Sequence, residues 1–337
     1  MQTETTADRT ITWDEGGECL RFIEQTLLPE RCEIIATTDV ERLATAIRRL
    51  EVRGAPALGV AGAYGVALSA RSHRHAPPGA FMDLVHRDAA MLQATRPTAV
   101  NLGWGIRRVL AALDREEAPG AAAERALEEA RATEEEEVRL CHAIGEHGAA
   151  LLPDSCTVLT HCNAGALACV EWGTALGVVR SAVQMGKEVK VISCETRPLH
   201  QGSRLTAFEL ARDGIDVETI TDSTAAYLMR KKVIDAVFVG ADRITRDVVF
   251  NKVGTYMHAV CACHHDIPFY VAAPYSTLDL QHSEADITVE ERAREELAAC
   301  GGRKLMPDGV RARNYAFDAT PLGLVTAIIT EQGARRL

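Results

Sequence analysis

The sequence predicts an α/β protein: an N-terminal domain with a small β-sheet and helices, followed by a Rossmann-like domain with a mainly parallel sheet. After a short hairpin, the first half is dominated by long helical patterns, whereas the second half alternates short apolar β-rich runs with helix-competent segments. The pattern changes near residues 145–155. We therefore expect two domains, over residues 1–148 and 149–337.

The β-rich runs of the second half predict a parallel sheet. Right-handed crossovers would bring the C-terminal ends of its strands to one edge, where ligands bind in open α/β sheets. We also expect a final helix, with Thr320 as its N-cap and Pro321 at its first position. The predicted strands are Thr157–His161, Val189–Ser193, Val217–Thr221, Ala236–Gly240 and Phe269–Ala273.

The first half begins with a predicted hairpin and continues with helices. Ile11–Trp13 and Leu20–Ile23 are apolar runs on either side of Asp14-Glu-Gly-Gly17, and Cys32–Ala36 would add a further strand. Helical spacing of apolar residues predicts helices over 40–50, 58–71, 80–95, 104–115 and about 121–150.

Composition argues against several classes of partner. The 337 residues carry a net charge of −10, which disfavours nucleic acid and anionic membranes as general partners. No apolar run reaches the roughly 18 residues of a membrane span. Residues 1–15 are polar, without a secretory pattern, so we expect a cytoplasmic protein. The 10 cysteines, expected to be reduced, include no CxxC pair and therefore indicate no zinc framework.

Two local patterns resemble ligand-binding motifs, but both lie in predicted helices, which favours a purely structural role for their residues. Gly59, Gly62 and Gly65 have GxxGxxG spacing without a preceding strand, so we expect close helix packing rather than dinucleotide binding. Cys261-Ala-Cys-His-His265 lies in a predicted helix, where consecutive side chains diverge around the axis, so we expect no metal there.

Two strand ends carry the strongest candidates for chemistry. Cys162 lies in Thr160-His-Cys-Asn-Ala-Gly165 and Asp242 in Gly240-Ala-Asp-Arg-Ile244, each directly after an apolar strand. Each could equally be structural, Cys162 as an inert buried thiol and Asp242 as a helix cap or a partner of Arg243. If both face one crevice, they form an acid–base pair suited to two distinct proton transfers.

Four further segments could bind an anionic ligand. Asn251-Lys-Val-Gly254 precedes a predicted helix, whose N-terminus favours anions. Each segment could equally form a cap, a turn or an ion-pair cluster. The other three are Arg53-Gly-Ala-Pro56, Arg96-Pro-Thr-Ala-Val-Asn101, and the pair Glu195-Thr-Arg-Pro198 and Gln201-Gly-Ser-Arg204.

In this order, these motifs resemble the methylthioribose-1-phosphate isomerase family, and the similarity runs from about residue 20 to the C-terminal region. The broader superfamily includes ribose-1,5-bisphosphate isomerases and the non-catalytic α, β and δ subunits of translation initiation factor 2B. The motifs that carry the resemblance are Arg53–Ala57, Arg96–Leu102, Thr160–Leu167, Glu195–Pro198, Gln201–Ala207, Gly240–Ile244 and Asn251–Tyr256.

The resemblance implies conversion of 5-methylthioribose 1-phosphate to 5-methylthioribulose 1-phosphate, a step of methionine salvage. It implies no cofactor, no metal and a homodimer. 5-Deoxyribose 1-phosphate, ribose 1,5-bisphosphate and a silent sugar-phosphate or nucleotide sensor remain alternatives. The family's catalytic thiol and proton donor match Cys162 and Asp242. Its substrate-binding positions match Arg53, Gly54, Ala55, Arg96, Gln201, Asn251 and Lys252.

The chain departs from the family pattern in one loop. The family usually has an Asn-Gly-Asp stretch between the catalytic acid and the Asn-Lys pair, whereas this chain has Thr245-Arg-Asp-Val-Val-Phe250. We expect this loop to lie beside the substrate and to bear on the 5-substituent of the sugar.

Overall fold

The computed structural model describes residues 9–97, 99–113 and 118–336. They form two compact units: the described residues up to Gly145 together with Ala164–Gly177, and Glu146–Asn163 with those from Val178 onward. The segment after Cys162 thus belongs to the first unit, and the division at 148/149 stays a proposal. Across the described ranges, no helix combines the length and apolarity needed to cross a bilayer.

The first unit has a three-stranded antiparallel sheet, β1 (Ile11–Asp14), β2 (Cys19–Ile23) and β3 (Ile34–Thr37), as the hairpin pattern predicted. Asp39 caps the first helix, where its carboxylate accepts the N–H of Glu41 at 2.8 Å. The helices are α1 (Val40–Arg48), α2 (Ala55–Ser72), α3 (Pro78–Gln93), α4 (Val100–Leu113) and α5 (Pro119–Ala149).

Helix α2 packs closely on α4, as its glycine spacing predicted. A Cβ at Gly62 would lie 2.6 Å from the carbonyl oxygen of Leu102, and one at Gly59 would lie 3.4 Å from that of Asn101. Gly65 faces Leu92 of α3 instead. Because these glycines have no side chains, neighbouring helices approach closely and α2 is buried along almost its whole length.

The second unit alternates strands and helices as predicted. Its main sheet has the order β16-β15-β10-β7-β4-β5-β6, and every pairing is parallel except β15 with β16. The elements up to α9 are β4 (Ser155–Thr160), α6 (Ala175–Gln184), β5 (Glu188–Cys194), α7 (Ala207–Arg212), β6 (Val217–Ile220), α8 (Thr224–Arg230), β7 (Ala236–Val239), β8 (Arg243–Thr245), β9 (Val248–Lys252) and α9 (Thr255–His264).

The remaining elements are β10 (Phe269–Ala272), β11 (Leu278–Asp279), α10 (Glu295–Ala298), β12 (Ala299–Cys300), β13 (Arg303–Lys304), β14 (Phe317–Pro321), β15 (Ala327–Thr330) and β16 (Gly333–Arg336). The prediction of a final helix is wrong, because residues 317–321 pair antiparallel with β9. Thr320 and Pro321 end this strand, and Asp318 caps α9 instead of a helix of its own. The apolar run Ala327–Thr330 is fully buried and joins the main sheet.

Candidate active site

Cys162 and Asp242 lie at the switch point of the main sheet. From β4 the chain moves outward through β5 and β6, then returns to β7 on the other side of β4. Leu159 of β4 pairs with Val237 of β7, so the two candidate residues follow neighbouring parallel strands at the same edge. Ligands bind at this position in open α/β sheets.

Hydrogen bonds on both sides fix the backbone at Cys162. Its N–H donates to Thr196 Oγ1 at 2.8 Å, and its carbonyl accepts from Thr206 Oγ1 at 2.7 Å. Its φ is 68°, a left-handed conformation that costs about 1–3 kcal/mol for a residue other than glycine. Surrounding contacts thus hold a half-buried thiol in an unfavourable conformation, as is common at functional sites.

Asp222 holds the loop that carries Thr196. Its carboxylate accepts the N–H of Thr196 at 2.7 Å and that of Arg197 at 2.8 Å. Thr196 also has a positive φ, 67°, and its hydroxyl donates to the carbonyl of Cys194 at 3.0 Å. The polar residues after β5 and β6 therefore position the Cys162 loop, a role that sequence reasoning did not assign to Asp222.

Asp242 begins the hairpin of β8 and β9, where its N–H donates to the Phe250 carbonyl at 2.9 Å. The turn of the altered loop forms the opposite end of this hairpin, between Thr245 and Val248, whereas Phe250 of the same loop pairs with Arg243. The two turn residues, Arg246 and Asp247, come four and five residues after Asp242. The altered loop therefore has its turn away from the candidate acid, whereas its last residue, Phe250, contacts the backbone of Asp242.

Gln201 brings an unpaired amide oxygen to the same edge of the sheet. Within the described ranges, its buried Oε1 has no hydrogen-bond partner. The next residue, Gly202, lets the chain pass over β5, since a Cβ there would lie 1.6 Å from the Cys194 carbonyl oxygen. A buried acceptor without a partner is costly unless a ligand satisfies it, so Gln201 remains a candidate for binding a substrate hydroxyl.

Replacing Gln201 by leucine should separate binding from stability. We expect kcat/KM to fall about fivefold through loss of one substrate hydrogen bond, because one such bond is worth about 1 kcal/mol. We expect little change in the free energy of unfolding, because an unsatisfied acceptor is removed. Steady-state kinetics and urea unfolding measure the two effects. Gln184→Leu, on an exposed position of α6, is the control; unchanged kinetics in Gln201→Leu would contradict a substrate contact.

Asn251 and Lys252 lie at the end of β9 rather than at the helix start predicted from sequence. Asn251 Nδ2 donates to Thr255 Oγ1 at 3.1 Å. Lys252 Nζ donates to the Ala316 carbonyl at 2.9 Å and lies 4.9 Å from the centre of the Phe317 ring. Both side chains are buried. Their assignment as substrate-binding residues stays a proposal.

The start of α9 is capped by a carboxylate of the protein itself. Asp318 accepts the N–H of Gly254 at 2.6 Å and that of Tyr256 at 3.1 Å. A phosphate at this helix terminus would therefore compete with Asp318, which weakens the prediction of an anion site here. Burial raises the pKa of Asp318 to about 6, although the two N–H donors and Lys252 act in the opposite direction.

Asp318→Asn should change how stability depends on pH. The carboxyl binds a proton more tightly in the folded chain than in the unfolded one, so the wild type loses stability as pH rises from about 4 to about 6. Relative to Asp318→Asn, this loss is on the order of 2 kcal/mol. Urea unfolding at about pH 4.5 and about pH 7 measures it. Asp216→Asn, at an exposed carboxyl, should show the same pH dependence of stability as the wild type. The same pH dependence in Asp318→Asn as in the wild type would contradict the burial effect.

The first unit carries the other predicted substrate residues. Gly54 precedes the 18-residue helix α2 without a side-chain cap, and its φ is 99°. A Cβ there would lie 2.3 Å from the carbonyl oxygen of Ala168. Arg53 and Ala55 flank it, and Arg96 is likewise half-buried. A helix start that is followed by Pro56 and preceded by an arginine suits a phosphate. We therefore still propose that these residues bind the phosphate of the substrate.

Gly54→Ala should destabilise the chain. The positive φ and the backbone clash with Ala168 together should lower the free energy of unfolding by about 2–5 kcal/mol. Denaturant unfolding measures the loss. Gly120→Ala is the matched control, since a Cβ there meets nothing within 4 Å, and it should be neutral or slightly stabilising. Equal stability of the two variants would refute the steric requirement.

Sequence reasoning missed a buried cluster beside Cys162. His161 Nε2 donates to the Val253 carbonyl at 2.9 Å, which leaves Nδ1 as the acceptor for His258 Nε2 at 3.2 Å. Burial lowers the pKa of His161 to about 4 and that of His258 to about 3. Together with Asp222 and Cys194, these residues come from four separate segments, so no short motif could reveal the cluster.

The fold and the site define an α/β protein with reactive side chains at the switch point of a parallel sheet. The chain belongs to the initiation factor 2 subunit family, whose model matches residues 51–336. It is 49% identical to the methylthioribose-1-phosphate isomerase of Roseiflexus sp. (strain RS-1), over 98% of this chain and 95% of that protein.

Two solved structures are similar over nearly the whole chain. The 5-methylthioribose 1-phosphate isomerase of Pyrococcus horikoshii OT3 has a TM-score of 0.91 and 39% identity, with 100% of this chain and 96% of that chain covered. An Archaeoglobus fulgidus structure, described as translation initiation factor eIF-2B, subunit delta, has a TM-score of 0.88 and 54% identity, with 97% and 96% covered. The predicted fold class is confirmed.

Proposed function

We propose that this chain is an aldose–ketose isomerase that converts 5-methylthioribose 1-phosphate to 5-methylthioribulose 1-phosphate in methionine salvage. The observation that carries the proposal is the pair Cys162 and Asp242 after the two strands at the switch point. A thiol and a carboxyl can move two protons with different intrinsic acidities. The named isomerases at 39–49% identity support the choice of substrate.

The phosphate on the anomeric carbon prevents the sugar from opening as a free aldose does. Asp242, in its protonated form, donates a proton to the ring oxygen as the ring opens. The negative charge of the substrate phosphate favours that protonated form. Cys162, as a thiolate, takes the proton from C2 and returns it to C1 through an enediol-like intermediate, and the C2 hydroxyl gives its proton back to the Asp242 carboxylate as the ketone forms. A hydride shift from C2 to C1 gives the same product, and Cys162 then polarises the site.

Reaction in deuterated water distinguishes the two routes. Deuterium at C1 of the product indicates proton transfer with solvent exchange. Its complete absence points to a hydride shift or to a proton shielded from water. We expect the site to exclude water when substrate binds, because both routes need a protected intermediate.

A direct assay of three sugar phosphates tests the function. We expect the highest kcat/KM with 5-methylthioribose 1-phosphate, a lower value with 5-deoxyribose 1-phosphate, and the lowest with ribose 1,5-bisphosphate, whose second phosphate needs further cations. Absence of turnover with all three would overturn the proposal and favour a silent regulator. The Archaeoglobus fulgidus structure supports that second candidate, because it is described as a subunit of a translation initiation factor.

The family resemblance also leads us to propose a cytoplasmic homodimer that acts on a small sugar phosphate without a cofactor. Light scattering of the purified chain tests the dimer, since a mass near twice 36.5 kDa is expected. A monomer at micromolar concentration would contradict that part of the proposal and leave the activity untouched.

A further inference from the structure

Four potential metal ligands converge behind the loop that carries Cys162. His161 follows β4, Cys194 ends β5, Asp222 follows β6 and His258 lies in α9. One ligand atom from each residue lies within 4.8 Å of all the others. We propose that these four side chains bind a divalent ion of the Zn²⁺ or Co²⁺ class as a structural clamp on this loop.

The spacing suits a four-coordinate site. With metal–nitrogen bonds of about 2.0–2.1 Å, two imidazole nitrogens bound to one tetrahedral ion lie about 3.4 Å apart. His161 Nδ1 and His258 Nε2 are 3.2 Å apart, and Asp222 Oδ1 lies 3.8 Å from His161 Nδ1. Small side-chain movements, together with transfer of the His258 proton from Nε2 to Nδ1, would bring all four atoms to bonding distance.

Contacts around the cluster already orient its ligands. A metal-bound histidine usually donates its other N–H to a carbonyl or carboxylate, which fixes the ring. His161 does so through Nε2 to the Val253 carbonyl at 2.9 Å. The backbone N–H groups of Thr196 and Arg197 hold the Asp222 carboxylate. Each oxygen of Asp222 keeps a second lone pair for an ion.

Charge and access also favour a divalent ion of this class. The ion displaces the proton of the Cys194 thiol, and the resulting thiolate and the carboxylate of Asp222 together neutralise two positive charges, as a buried ion requires. Thiolate and imidazole ligands select zinc-like ions over Mg²⁺ or Ca²⁺, which prefer oxygen. Cys194 is fully buried, whereas 20% of the Asp222 side chain is exposed and offers an entry route.

The ion would act on the loop, not on the sugar. Asp222 binds the backbone of Thr196, whose hydroxyl accepts the N–H of Cys162. Fixing Asp222 would therefore stiffen the support of the Cys162 backbone. A hydrogen-bonded network without metal would explain the two histidines and the carboxylate, but it would not need a thiol among them.

Cobalt binding to the full-length chain tests the site without any activity assay. Protein freed of metal by a chelator is titrated with CoCl₂ and followed by absorbance, because thiolate ligation gives a near-ultraviolet charge-transfer band. We expect one equivalent to bind, displacement by ZnCl₂, and a rise in Tm with Zn²⁺. Absence of saturable binding would overturn the proposal.

Variants locate the ion. Cys194→Ser should abolish the charge-transfer band, and His258→Gln should weaken Co²⁺ binding at least about tenfold. Cys141→Ser is the control, because Glu137, Cys141 and Cys169 form the other group of potential ligands among the described residues. Loss of the band in Cys141→Ser but not in Cys194→Ser would place the ion elsewhere and refute the site. If Cys194→Ser fails to fold by circular dichroism, His258→Gln decides alone.

Discussion

Replacing Cys162 by serine or alanine is expected to lower kcat at least about 100-fold, the usual contribution of a positioned acid–base group. A serine hydroxyl keeps the size of the side chain but ionises far less readily than a thiol. The loop should survive the change, because its hydrogen bonds to Thr196 and Thr206 use only the backbone of Cys162. Fixed-time assays with 5-methylthioribose 1-phosphate measure the loss of kcat.

Cys156→Ser is the matched control for this thiol. Cys156 is buried near the start of β4, at the opposite end of the strand from Cys162. We expect its kcat to stay within about a factor of three of the wild type, since any effect would come through packing. Near-normal turnover of Cys162→Ser would remove the thiol from the mechanism, whatever the control shows.

Asp242→Asn is expected to lower kcat by a similar factor, at least about 100-fold, with a much smaller change in KM. The amide keeps the shape of the carboxyl but cannot supply an acidic proton to the ring oxygen. The backbone contact from Asp242 to the Phe250 carbonyl does not depend on the side chain, so the hairpin should be retained.

Asp216→Asn serves as the control for this carboxyl. Asp216 is exposed and lies just before β6, at the opposite edge of the sheet from the site. It should turn over substrate as the wild type does. A variant Asp242→Asn with unchanged kcat would show that another group opens the ring, and the proposed division of labour would fail.

Much of the second unit could be predicted from the sequence because its strands are short, apolar and buried. Val158, Val191 and Val237 all lie in such runs, and the structure places them in one parallel sheet. The edge that carries Cys162 and Asp242 follows from strand direction alone. The close packing at the glycines of α2 was likewise predictable, because their spacing places them near one face of a helix.

The errors arise where partners are distant in sequence. Residues 317–321 have the local signature of a helix start, yet they pair with β9 and lend Asp318 to α9. The cluster of His161 and His258 is equally invisible, because 97 residues separate its members. Local patterns encode periodicity and caps; they do not encode which distant segment will use a given carboxylate or imidazole.

The left-handed backbone at Cys162 has an evolutionary consequence. Glycine would relieve the unfavourable φ of 68°, so the position that we propose carries the thiol chemistry is one where loss of the side chain should favour folding. Only continued selection for turnover would retain the thiol. A descendant that came to serve as a regulator would lose this residue early and gain stability by doing so, which makes position 162 a marker of whether a related chain still performs catalysis.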